Sequence, residues 1–341
     1  MSKKEPGMHR LVVTGAQHNF GREILQALSD RQVPYSKVTA VDDNAQPGAQ
    51  VSYGESGVLD IFTYDKISWD EIDILIHASR PDEAPSIFKR LKQANPQAKF
   101  FDTSGCFSVQ TGDTGEVPLI VPEINGAKLD NLGDKRVIAM PHPAALFLAL
   151  ALDPIHRAAV FKRVVATGFM AVWHHGRAAQ DELFQLTKSA FIGGLSARAE
   201  HLPKNIAFNA IPATGSEGED GYTVDERLVT SQLPRILDAT ISTSFQAVQA
   251  PLFTSDLITV TVETEKPISA IKAAMRSGAH ESIGFVEDAD NLPTPSEVTG
   301  DDLVYICRMR NDPAVDNGRQ FMIVGDGLRK GRAVNAVMAV D

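Results

Sequence analysis

The stretch HRLVVTGAQHNFGREILQALS, His9 to Ser29, decides the fold of the first half of the chain. His9–Gly15 reads as an apolar strand running into a glycine turn, and Ile24, Leu25 and Leu28 form one stripe of a helix over Arg22–Ser29. Lys37–Asp43 supplies a second strand. A strand, a glycine turn, a helix and a strand in succession make a βαβ unit, which requires a parallel sheet.

Working outward, the alternation continues through Ile72–Ala78 as strand, Ala84–Ala94 as helix and Lys99–Asp102 as strand, with Val137–Ala139 closing the set. It stops far short of the eight repeats of a barrel, so the reading is α/β, a Rossmann-like doubly wound parallel sheet over residues 1–140. Residues 327–341 are expected to complete it as a returning helix. From Lys162 the texture changes to long β-rich runs: Arg163–Ala171, Thr240–Gln249, Leu257–Glu263, Tyr305–Arg310 and Gln320–Val324. Helices are expected at Ala178–Phe191 and Ile268–Ser277. Residues 141–326 therefore read as an α+β domain with a mostly antiparallel sheet.

A chain of 341 residues suits about two domains. The apolar fraction of 43% and charged fraction of 22% are those of a soluble globular protein. The longest apolar run, Ala144–Leu152, is well short of the roughly 20 residues that span a bilayer. No membrane association is expected, and MSKKEPGMHR has no apolar segment of a secretory signal, so the expected location is cytoplasmic. The net charge of -10 argues against nucleic-acid binding, which draws on clustered Lys and Arg. Cys106 and Cys307 are expected as reduced, structural thiols.

Gly15-Ala16-Gln17-His18-Asn19-Phe20-Gly21 stands where a dinucleotide fold places its phosphate loop. Gly15 and Gly21 allow the tight turn and the close approach of backbone to pyrophosphate, while Gln17, His18 and Asn19 crowd the interior. A plain strand–helix turn that binds nothing is the competing reading. Asp42, at the end of the second strand with Asp43, suits a ribose diol and favours NAD over NADP.

Several collinear segments together resemble one family. They are the N-terminal strand–turn–helix, Val117–Asn125, Ile206–Pro212, Asp220–Thr223, Glu263–Pro267, Pro293–Pro295 and Leu328–Gly331. On these the chain is identified as a member of the aspartate-semialdehyde dehydrogenases. The resemblance implies a homodimer, dimerising through the second domain, that uses NADP and a cysteine thiolate to make an acyl-enzyme from aspartyl phosphate.

Carried over residue by residue, the family's catalytic set is missing. The cysteine position falls on Pro143, the substrate Arg on Gln249, the acid/base His on Asp256, the Gln on Ala213 and the Lys on Leu228; Glu226 is retained. A phosphate-binding Arg is replaced near Ser108, and the Asn that faces the nicotinamide is replaced by Gly327. The pattern resembles the Usg-type paralogues, which keep the scaffold without the catalytic residues. The expected function is a non-catalytic ligand-binding or interaction protein, with NAD or NADP as candidate cofactor and a small anionic ligand in the interdomain cleft. The alternative is an active NAD(P)-dependent oxidoreductase of this family with altered chemistry or substrate.

The replacements include groups with chemistry of their own. His142, His174 and Asp256, with His175 beside them, are candidate metal ligands, although their spacing matches no metal motif. In the simpler reading His142 caps the following helix, and His174 and His175 point to different sides. Arg177 and Arg227 are candidate anion partners, and Trp69 and Trp173 are expected to be packing residues.

Overall fold

The computed structural model describes residues 9–108, 116–192, 199–265, 275–276 and 280–341. At the centre of the first unit lies β1 (Arg10–Thr14), whose LVVT run is buried throughout. It pairs in parallel with β2 (Lys37–Val41) on one side and β5 (Ile74–His77) on the other. Beyond β5 come β6 (Lys99–Asp102) and β7 (Val137–Ala139), also parallel. Beyond β2 lie β4 (Gly57–Phe62) and then β3 (Gln50–Tyr53), giving the order β3-β4-β2-β1-β5-β6-β7. The β3–β4 hairpin is antiparallel, and it escapes sequence reading because its residues are mostly exposed and carry no sustained apolar alternation.

The helix α1 (Asn19–Asp30) buries Ile24, Leu25, Ala27 and Leu28 in the core, and α2 (Ala84–Ala94) buries Ala84, Ile87 and Leu91. A short α3 (Pro122–Asn125) follows β6. The chain end re-enters this unit as α7 (Asn335–Val340), where Tyr35 donates its hydroxyl hydrogen to the carbonyl of Val340 at 3.0 Å. Ala333, Val334, Ala336, Val337 and Ala339 belong to the same core as β1 and α1.

Unit 1 comprises Met1–Pro141 and Arg332–Asp341, and unit 2 comprises His142–Gly331. The crossing back to unit 1 thus falls at Arg332 rather than at Gly327. Gly327 packs on Trp173 and Asp256, and Gly331 packs on Pro143, which ties residues 327–331 to the second unit.

Unit 2 is built on a six-stranded mixed sheet in the order β11-β12-β13-β10-β8-β9. Its strands are β8 (Phe161–Met170), β9 (Ser242–Gln249), β10 (Ser255–Thr264), β11 (Ile283–Val286), β12 (Val304–Asn311) and β13 (Gly318–Asp326). The three inner pairings are antiparallel and the two outer ones parallel. The helix α4 (Pro143–Ala158) is buried from Pro143 to Ile155 and packs against α6 (Val224–Leu237) and β13. That all-round burial explains why the PAALFLALALDPI run has no polar face. Between β8 and α6 lies α5 (Arg177–Ile192). The helix expected over Ile268–Ser277 lies outside the described residues except for Met275 and Arg276. Among the described residues no helix is long and apolar enough to cross a membrane.

Candidate functional site

The glycine loop of unit 1 is shaped by backbone collisions. Gly15 sits at φ +68, and a Cβ there would lie 2.5 Å from the carbonyl oxygen of Ala78; a Cβ on Gly21 would lie 2.2 Å from the carbonyl oxygen of Gly15. Neither position accepts a side chain, so β1 and α1 meet backbone to backbone, as a pyrophosphate cradle at a helix N-terminus requires. Behind the loop, Thr14 Oγ1 lies 3.0 Å from His77 Nδ1 and accepts from the Ala78 N–H at 3.1 Å. His77 is fully buried, and burial pushes its imidazole down, toward the neutral form.

The interior residues are placed differently from the glycines. His18 is the N-cap of α1, its side chain 58% exposed, with Nε2 3.9 Å from Asp42 Oδ2. Asp42 is only 4% exposed, and it accepts the Gln17 N–H at 3.1 Å and the Asn44 N–H at 3.1 Å. Its carboxylate fastens the loop from inside. The glycine frame fits a dinucleotide pyrophosphate, which Gly15, Gln17, His18, Asn19 and Gly21 would surround.

Unit 2 brings four of its distant polar residues into one row. His142 is the N-cap of α4, where its Nδ1 accepts the Ala144 N–H at 3.2 Å and its own N–H donates to Gln232 Oε1 at 2.7 Å. Proline at the next position, Pro143, has no N–H to satisfy and opens the helix at no cost. The other ring nitrogen of His142, Nε2, stands 3.5 Å from Asp225 Oδ1 on α6. Thr214 donates its hydroxyl hydrogen to Asp225 Oδ2 at 2.7 Å. Burial alone would raise the Asp225 carboxyl, but His142, His174 and Thr214 overcome that and hold it far below the usual carboxylate range.

His174 lies on the 3-10 turn Val172–His175 that follows β8, its ring stacked on that of His142 with centroids 5.5 Å apart and planes 8° apart. Its Nε2 is 3.1 Å from Oδ2 of Asp256, a fully buried residue on β10 whose Oδ1 accepts the Ala171 N–H at 2.7 Å. The row therefore runs Asp225, His142, His174, Asp256. His175 turns the other way, with Nε2 2.8 Å from Gln249 Oε1, while Gln249 donates through Nε2 to the Met170 carbonyl at 2.7 Å. Beyond Asp256, burial pushes the Asp326 carboxyl up, although it accepts N–H bonds from Arg329, Gly300 and Leu328.

Other expected site residues serve the scaffold. Glu226 completes a capping box with Thr223 at the start of α6 and accepts the Ala247 N–H at 3.0 Å through Oε1. Ala213 and Leu228 are half-buried, and Ser108 closes a turn by donating to the Gly105 carbonyl. Arg177 and Arg227, the candidate anion partners, pair instead with Asp181 and Asp220. Trp69 packs in unit 1 with Arg90 over its ring. Among the described residues no group of three or more His, Cys, Asp or Glu side chains is placed to hold a metal ion. Each imidazole is matched to its own carboxylate instead. Asp225 and Thr214 escape sequence reading, since a Thr and an Asp near a helix start look like capping residues; packing of α6 on α4 brings Asp225 to His142.

Both thiols are pushed above their ordinary value. Burial, and then the charge of Asp102, push the Cys106 thiol up in unit 1. Cys307 on β12 is also pushed up by burial, against the opposing charge of Arg308.

Comparison with known proteins agrees with this architecture. Residues 152–330 match the model of the semialdehyde dehydrogenase dimerisation domain. The aspartate-semialdehyde dehydrogenase of Rickettsia conorii is 33% identical over 352 residues, covering 100% of this chain and 98% of that protein. That of Aquifex aeolicus is 28% identical, with 98% and 97% covered. In structure, aspartate semialdehyde dehydrogenase II of Vibrio cholerae, complexed with ASA, superposes with a TM-score of 0.90 at 24% identity, covering 98% and 97% of the two chains. The Candida albicans enzyme with NADP gives a TM-score of 0.70 at 15% identity, with 98% and 97% covered. The fold is the one these structures share, and the chain belongs to the aspartate-semialdehyde dehydrogenase family.

Proposed function

We propose that this member of the family has lost the acyl-transfer reaction and serves as a homodimeric, ligand-binding protein of the Usg type. The observation that carries this reading is Pro143 at the first position of α4, where the resemblance puts the nucleophile. A thioester requires a thiolate, and a proline ring has no atom that attacks an acyl phosphate. The two cysteines lie elsewhere, with thiols that burial holds protonated.

The neighbouring replacements support the same reading. Gln249 offers an amide already engaged by His175 and Met170, where a guanidinium would grip a carboxylate in two places. Asp256 is a buried carboxylate bonded to Ala171 and His174, and an anion there disfavours anionic substrates. The glycine frame at Gly15 and Gly21 favours retention of a dinucleotide, NAD or NADP, as ligand. The dimerisation-domain match supports a homodimer through unit 2.

The test is an assay of phosphate-dependent NADP reduction with aspartate semialdehyde on the purified protein, with calorimetric titration of NAD and NADP. No turnover with measurable nucleotide binding is expected. Thiol-sensitive turnover overturns the reading. The same glycine frame favours the second reading, an active NAD(P)-dependent oxidoreductase with altered chemistry; hydride transfer to or from a different carbonyl substrate would establish it.

A further inference from the structure

The two stacked imidazoles are held differently. His142 Nδ1 accepts the Ala144 N–H, so its lone pair is in use and its proton sits on Nε2, facing Asp225. Because Pro143 has no N–H, that of Ala144 is the first donor of α4 and His142 is what satisfies it. A positive charge on His142 would also sit at the positive end of a sixteen-residue helix. His174 has no such constraint, and its Nε2 bonds to Asp256.

We propose that His142 is an acid-triggered cap on α4: neutral, it holds the start of the helix through Nδ1, and protonated at Nδ1 it lets go of Ala144. The charged and titratable surroundings can be stated element by element. Asp225 on α6 faces His142 directly, beside Gln232; His174 stacks on it from the 3-10 turn, next to Trp173 and His175. Asp256 on β10 lies behind His174, with Asp326 of β13 beyond it. On the segment that packs against Pro143 through Gly331, Lys330 is buried with Nζ 3.0 Å from Ser282 Oγ, and Arg329 pairs with Asp302. The groups that face the Asp225 and Asp256 carboxylates in the row are the imidazoles, His142 Nε2 at 3.5 Å and His174 Nε2 at 3.1 Å. The inference concerns a helix start and does not depend on whether the row performs chemistry.

Amide hydrogen exchange of the full-length protein tests it, between about pH 5 and pH 8, with His142→Asn as control, because Asn caps a helix well and does not titrate there. Protection of the Ala144–Leu146 amides in the wild type is expected to fall at least about fivefold relative to His142→Asn at the acid end, the scale of a lost cap. Imidazole 15N spectra of the wild type, which need no variant, are expected to show His142 as the Nε2–H tautomer at the alkaline end. The proposal is overturned if His142→Asn loses protection in parallel with the wild type. It is equally overturned if His142 carries both ring protons while the Ala144 amide stays protected.

Discussion

Trp173 occupies the space that a side chain at Gly327 would need: a Cβ on Gly327 would lie 2.8 Å from Trp173 Cζ2, 2.9 Å from its Nε1 and 2.6 Å from Asp256 Oδ2. The absence of a side chain at 327 is what allows the indole to sit 4.0 Å from the His174 ring and the His174–Asp256 pair to close. A family position that faces the nicotinamide by resemblance is here a packing surface for the imidazole row.

The first prediction follows from that crowding. Gly327→Ala should destabilise the protein by about 1–3 kcal/mol, the usual cost of overfilling a packed site. Urea denaturation followed by the fluorescence of Trp173, in a Trp69→Phe background, reads both the midpoint and the displaced indole. An unchanged midpoint and spectrum would show that the turn yields freely.

A second concerns the glycine loop. In Gly21→Ala the added carbon meets the Gly15 carbonyl, a backbone atom that cannot swing aside. The variant should lose roughly 1–3 kcal/mol of stability and with it most affinity for NAD or NADP. Thermal melts with and without nucleotide separate the two effects, since a bound ligand raises the melting temperature only where the cradle survives.

Asp225 sets a pH dependence with a definite sign. Its carboxyl is held below the ordinary value, so its contribution is complete above the unfolded value of about 4 and is lost as pH falls through the lower folded value. Asp225→Asn should therefore cost stability at neutral pH, by roughly 1–3 kcal/mol, and the gap to wild type should close only in strong acid. Urea midpoints measured from about pH 5 downward check this, since the loss falls below the unfolded value; a gap undiminished in strong acid contradicts it.

Glu226→Ala tests whether the retained acid is structural. It removes one half of the capping box with Thr223 and the bond to Ala247, for an expected loss of about 1–2 kcal/mol. Nucleotide affinity should not change. A loss of binding without loss of stability would assign Glu226 to a ligand.

Much of the architecture was legible in the sequence because its signals are local. The glycine pair, the burial stripe of α1 and the apolar runs of β5, β6 and β7 are each written within one short stretch of chain, and both α2 and β6 fall on the expected residues. The β3–β4 hairpin was not legible, since an edge pair of short, exposed strands has little apolar pattern to read. At the site, the reading of His142 as a cap could be reached from the chain alone, by its place before Pro143.

What the sequence by itself determined is thus the βαβ alternation, the change to a β-rich second half and the family. Where each polar side chain ended up was decided by tertiary structure. His174 meets Asp256 across 82 residues of sequence and His142 meets Gln232 across 90, distances over which residue spacing carries no geometric information. The same applies to Asp42, which turned inward to hold Gln17, and to Arg177 and Arg227, which found carboxylates at the surface. A buried polar group must be satisfied by whatever the fold brings to it, and the fold supplied each imidazole with a carboxylate and gave the row no thiol.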